Sequence, residues 1–166
     1  CDALESAVIG NGVRAIESYA FYKCMNLESV TIGSSVTSIE TCAFYNCNKL
    51  SRLSIPDSVK KVGSSAFYSC TQLKEISLGN GLQQIFSSAF YNCDSIEELR
   101  IPDSVTKIYA NAFNDCDSIG SISIPNSVTT IGNRAFADCD SMKDITVGSG
   151  VTDMSHDAFA DCGMLN

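Results

Sequence analysis

Residues 47–69, CNKLSRLSIPDSVKKVGSSAFYS, decide the fold. Leu50, Leu53 and Ile55 are spaced three and then two, and Arg52 and Ser54 alternate with the last pair. That is the pattern of a short half-buried strand. Pro56-Asp57-Ser58 follows as a turn, with Pro just past the strand, where a missing N–H costs least. Val59 and Val62 make a second apolar pair. Ala66, Phe67 and the next Cys70 make a third, on an expected short helical or 3₁₀ turn.

Outward from this stretch the same landmarks return every 23 residues. Cysteine stands at 1, 24, 47, 70, 93, 116, 139 and 162. Phe recurs at 21, 44, 67, 90, 113, 136 and 159, each preceded by Ala. Three residues after each Cys comes Leu4, Leu27, Leu50, Leu73, Ile96, Ile119, Met142 or Leu165. The turn varies: Gly79-Asn80-Gly81 replaces the Pro form, which reads as permission for positive φ. One coil cannot bury apolar residues on three of its sides, whereas stacked copies can. Neighbouring strands then lie ~4.8 Å apart in a parallel sheet, and seven units span roughly 35 Å.

The unit C-x-x-L-x-x-[LIV]-x-[IL]-[PG]-x-[SG]-V-x-x-I-x-x-x-A-F-x-x resembles the BspA-like leucine-rich repeat, the bacterial-type 23-residue class, over the whole chain. The resemblance implies a strand-rich leucine-rich-repeat solenoid of the α/β class. It would be a right-handed curved coil of seven repeats plus a partial eighth from Cys162, with the parallel sheet on the concave face. It further implies a non-enzymatic, adhesin-like, protein-binding module, secreted or at a cell surface. Its partners would be host matrix proteins or other microbial surface proteins. The alternative is a structural spacer that presents another domain. Residues 1–166 are expected to be one leucine-rich-repeat domain, excerpted from a longer array, because no polar terminal cap is recognisable.

Composition narrows the function. The chain has 166 residues, 45% hydrophobic, with a formal net charge of −8. That suits one domain with a real core and argues against a nucleic-acid partner, which needs clustered Lys and Arg. No apolar run approaches the ~20 residues of a membrane helix, so no membrane insertion is expected of this segment. No signal-peptide pattern, N-x-[ST] sequon or phosphate-binding Gly loop is present. The single His, His156, occupies a slot held by Ser, Thr, Ala or Asn in other units, so it reads as a surface substitution. No enzyme, cofactor or metal site is expected.

The regular cysteines read as a ladder of buried thiols. Their Cβ vectors point one way, which is poor geometry for a bridge. Cys42 lies outside the period, and exposure is expected for it. Residues 93–166 carry twelve acidic and four basic side chains, and Asp115, Asp117, Asp138, Asp140 and Asp161 flank cysteines. Weak Ca²⁺ binding competes there with simple solvation or turn capping.

Two surfaces are candidates for a partner. On the strand face the outward residues are mostly Ser and Thr. The charges concentrate in Arg52, Glu75, Glu98 and Arg100, flanked by Ser54 and Ser77. Against binding, small hydroxyls merely suit an exposed strand, and large aromatic anchors are absent. The second candidate is an edge row, Tyr22, Tyr45, Tyr68 and Tyr91, with Phe86 and Tyr109 at another outward slot.

Overall fold

The computed structural model describes residue 1 and residues 3–163. Leu165, the apolar residue expected in the partial eighth unit, lies outside the described residues. The strands are numbered β1 to β13 in chain order. The longer ones are β1 (Ser6–Ile9), β3 (Ser29–Ile32), β5 (Arg52–Ser54), β7 (Glu75–Ser77), β10 (Ser121–Ile124) and β12 (Asp144–Val147). Two-residue strands lie between them: β2 (Ala15–Ile16), β4 (Ser38–Ile39), β6 (Lys61–Val62), β8 (Gln84–Ile85), β9 (Lys107–Ile108), β11 (Thr130–Ile131) and β13 (Asp153–Met154). Pairing is parallel and offset by one 23-residue unit, as in Leu53↔Ile76 and Ile85↔Ile108. The molecule is a parallel-stranded solenoid with no helix among the described residues.

The Val59/Val62 side of the coil is more regular than its sequence suggests. Its two-residue strands join into one seven-stranded sheet, β13-β11-β9-β8-β6-β4-β2. The longer strands, expected to form the continuous sheet, split instead into β1-β3-β5-β7 and β10-β12.

No helical or 3₁₀ turn forms on the third side. Tyr68 N–H and Cys70 N–H do donate three residues back, to Ser65 O and Phe67 O, both at 3.2 Å. Between them, Phe67 N–H and Ser69 N–H donate instead to the next coil, to Ala89 O and Tyr91 O at 2.8 Å. A 3₁₀ turn would keep all these donors inside one coil. The alternation is made by left-handed residues, Ser65 and Ser69, both at φ 54°. The slot before each Cys is left-handed throughout: Lys23, Asn46, Ser69, Asn92, Asp115, Asp138 and Asp161. Asn and Asp tolerate that conformation best among non-glycine residues. This is a conformational reason for aspartates at 115, 138 and 161 that charge reasoning missed.

Stacking fills the core. Phe44, Phe67, Phe90, Phe113 and Phe136 are fully buried, and their ring centroids stand 5.1–5.2 Å apart along the axis. From Cys47 to Cys162 each thiol of the ladder has a hydrogen-bonding task. Cys70, Cys93 and Cys116 donate from Sγ to the carbonyls of Phe44, Phe67 and Phe90 in the preceding coil, at 3.2–3.3 Å. The carbonyls of Phe44 and Phe67 each also accept a backbone N–H from their own coil, from Cys47 and Cys70, both at 3.2 Å. Both lone pairs are thus used, and a weak S–H donor of small volume fits where a larger group would not. All nine cysteines are free. Cys1 is exposed, unlike the rest of the ladder. Cys42 is half-buried rather than exposed, because its slot folds in beside Tyr19, and burial pushes its thiol up.

The Gly turn has a different cause from the one its sequence suggests. No glycine has positive φ. At Gly81 an added Cβ would lie 1.8 Å from Asp57 O, so the residue serves close approach of successive turns.

Candidate functional site

The solenoid brings the outward residues of the longer strands onto one face. Arg52, Ser54, Glu75, Ser77, Glu98 and Arg100 are all exposed there, as expected. The structure joins them in two groups. Arg52, Ser54, Glu75 and Ser77 sit on the paired strands β5 and β7, with Arg52 opposite Glu75 in register. Arg52 Nη2 meets Glu75 Oε1 at 3.2 Å, and Lys74 Nζ meets Glu97 Oε1 at 2.9 Å. Both pairs are solvent-exposed, so each contributes little to stability. Their value is in fixing where charge stands.

Glu98 and Arg100 lie on a segment that forms no strand. No backbone hydrogen bond ties Glu97–Ile101 to the coil on either side, although Leu99 and Ile101 remain plugged into the core. The repeat register accounts for the gap. It places Glu98 beside Glu75, whose charge Arg52 already balances, and like charges directly opposite destabilise a sheet. On the far side, Gly120 replaces the side chain that other coils carry at the strand entrance.

Shallow clefts gather around this interruption, and Ile76 touches them all. One of about 210 Å³ is lined by Lys74, Glu75, Ile76, Glu97 and Glu98. A second, of about 450 Å³, runs over Arg52, Leu53, Ser54 and Glu75 to Ser77. A third, of about 230 Å³, lies between Ser77, Leu78, Asn80 and Arg100. The half-buried Ile76 floor is a site element that strand alternation alone did not single out. Its signal is the exposed charge around an inward position whose next-coil neighbour has lost its pairing.

The tyrosine row forms a physical pile. Tyr22 and Tyr45 stack at 5.1 Å, Tyr45 and Tyr68 at 4.8 Å, and Tyr68 and Tyr91 at 4.7 Å. Tyr19 closes the outer end edge-on to Tyr22, with Lys23 Nζ 5.2 Å from the Tyr22 centroid. The pile stops at Asn114, which is buried and donates from Nδ2 to Asp138 Oδ2 at 3.2 Å. Phe86 and Tyr109 stack at 4.9 Å on the seven-stranded sheet.

In the acidic half, burial first and then Asp115, Asp140, Asp94 and Asp138 push the Asp117 carboxyl upward. Burial and Asp115 do the same to Asp94. The folded state therefore holds protons that the unfolded chain has lost, and stability rises as pH falls from neutral toward the unfolded carboxyl range. Asp117→Asn removes the repulsion. It is expected to raise the pH 7 melting midpoint by about 1–2 °C and to flatten the gain between pH 7 and pH 5. Thermal melts at the two pH values check both. Among the described residues no group of three or more His, Cys, Asp or Glu could hold a metal ion. His156 is fully exposed, with its ring Nδ1 2.9 Å from Asp157 Oδ1. No helix among the described residues is long and apolar enough to cross a membrane.

Comparison with known proteins agrees with this architecture. The model of the BspA type leucine rich repeat region matches in six copies, over residues 1–120 and 106–166. A leucine rich repeat protein of T. pallidum superposes with a TM-score of 0.87 at 27% identity, covering 98% of this chain and 78% of that one. A leucine-rich repeat protein from Eubacterium ventriosum superposes with a TM-score of 0.85 at 24% identity, covering 96% of this chain and 43% of that one. One from Bacteroides ovatus gives 0.57 at 19% identity, covering 99% and 66%. No curated protein sequence matches the chain. The period, the parallel coils and the family match together place this chain in the BspA-type leucine-rich repeat family.

Proposed function

We propose that the chain is an adhesin-like, protein-binding repeat module, displayed at a cell surface or secreted, with no catalytic role. Its partner docks on the face of β5, β7 and the unpaired segment Glu97–Ile101. The observation that supports this most is the coincidence at Ile76. Exposed charges of both signs, an apolar floor and unpaired backbone donors and acceptors meet there. Such a patch offers a partner protein hydrogen bonds that need no partner side chain, and charges that set register. Host matrix proteins and other microbial surface proteins are the partner class.

Binding of the purified chain to immobilised matrix proteins, fibronectin and fibrinogen among them, tests this at physiological salt. Saturable binding is expected. The variant with Arg52, Glu75, Glu98 and Arg100 all changed to Ala should weaken it by at least about tenfold, the effect of about 1.4 kcal/mol. Undiminished binding by that variant moves the contact to the tyrosine edge. The second reading is a spacer array, favoured by the unbroken Phe pile through the coils. It predicts no binding by either protein.

A further inference from the structure

The tyrosine pile has no part in the docking reading, yet it is among the most ordered features of the surface. Tyr45, Tyr68 and Tyr91 lie ring on ring, with interplanar angles of 8° and 3°. Tyr22 extends the pile at 26°. The backbone fixes the pitch: Asn46 N–H donates to Tyr68 O and Ser69 N–H to Tyr91 O, both at 2.8 Å. The rings therefore cannot drift apart without opening the coils. Their faces cover one another, so the pile is a poor platform for a ligand ring. Tyr45, Tyr68 and Tyr91 are half-buried, and stacking covers their ring faces, which leaves the ring edges, where the phenol oxygen and ortho carbons lie. Those edges are where phenols couple after one-electron oxidation. Each ring of the pile has such a neighbour at a fixed distance.

We infer that the pile is an oxidative cross-linking site, at which tyrosines of adjacent coils couple to dityrosine and staple the coils together. The oxidant is of the peroxide-driven, one-electron class. It removes one electron and one proton from each of two neighbouring phenols. The two ortho carbons then join, and each passes its hydrogen to its own ring oxygen, restoring both aromatic rings. In balance, two tyrosines lose two hydrogens and one peroxide becomes two waters. The phenols are protonated at neutral pH, and burial pushes the Tyr45 and Tyr68 hydroxyls further up, so electron and proton leave together. The thiol ladder does not supply such a staple, because its sulfurs from Cys47 to Cys162 are turned toward Phe carbonyls and every cysteine is free.

The test treats the intact chain, its accessible thiols first alkylated, with a haem peroxidase and hydrogen peroxide. Trypsin separates the pile, with Tyr45 in 24–49, Tyr68 in 62–74 and Tyr91 in 75–100. The expected result is dityrosine fluorescence in a chain that stays monomeric on a denaturing gel. Mass spectrometry should join 24–49 to 62–74, or 62–74 to 75–100, each product two hydrogens light. Both joins should fall several-fold in urea and vanish in Tyr68→Phe, which keeps the ring and loses the phenol. Cross-links only between chains would overturn the inference. So would equal yields of these joins in folded and urea-unfolded chain, or consumption of the exposed Tyr19 with no join in the pile.

Discussion

Replacing Phe90 with Ala is expected to lower the unfolding free energy by about 3–5 kcal/mol. Phe90 is fully buried between Phe67 and Phe113, each at 5.2 Å. Its neighbours cannot close over the space. Their positions are set by hydrogen bonds on both flanks, such as Phe67 N–H to Ala89 O at 2.8 Å and Phe90 N–H to Ala112 O at 2.8 Å. A cavity that stays open carries the full penalty of lost contacts. Phe21 lies at the end of the pile, half-buried, with Phe44 as its one stacked ring. Phe21→Ala should therefore cost less than half as much. Denaturant unfolding of the two variants checks both the size and the order. Equal losses would mean that stacking contributes little.

Thiol reactivity should divide the cysteines just as sharply. The thiolate is the reacting species. Burial, first among its causes, pushes Cys47 and Cys139 up to about 12 from an ordinary 9.0. That alone leaves about a thousandfold fewer thiolates at neutral pH. Cys70, Cys93 and Cys116 are raised well above the ordinary value for the same reason. A thiol-disulfide reagent should label Cys1 rapidly and Cys42 more slowly in the folded chain. It should reach all nine only in denaturant. Rapid labelling of Cys93 without denaturant would show that the coils open far more readily than this packing allows.

The sequence was most legible where its period was strictest. Eight Cys and seven Phe at one spacing leave little room for any fold but stacked coils, and strand alternation at Arg52 to Ile55 predicted which side chains face out. Legibility failed where neighbouring coils act on one another. The Ala-Phe turn resembles a helical turn in isolation. Only the next coil, by accepting alternate N–H groups, makes left-handed residues at 65 and 69 worthwhile. Gly81 reads as a conformational residue but is a residue of close approach, a distinction that needs Asp57 in place. The break at Glu97–Ile101 was hidden for a similar reason. Each residue there suits a strand by itself, and the conflict arises only when Glu98 is set beside Glu75. The candidate site was thus half visible: its charged residues could be named, but not the interruption that gathers them around Ile76.

The strand ladder is broken at one coil, and the proposed docking surface spans the break. Amide hydrogen exchange tests this most directly. Glu97–Ile101 should exchange at nearly the rate of unstructured peptide. β5 and the two-residue strands β8 and β9 should be protected. Glu98→Ser, which restores the small hydroxyl found at Ser29 and Ser121, should slow exchange in the same segment by tenfold or more. Protection of Glu97–Ile101 equal to that of β5 in the unaltered chain would mean that the ladder is continuous and the break does not exist in solution.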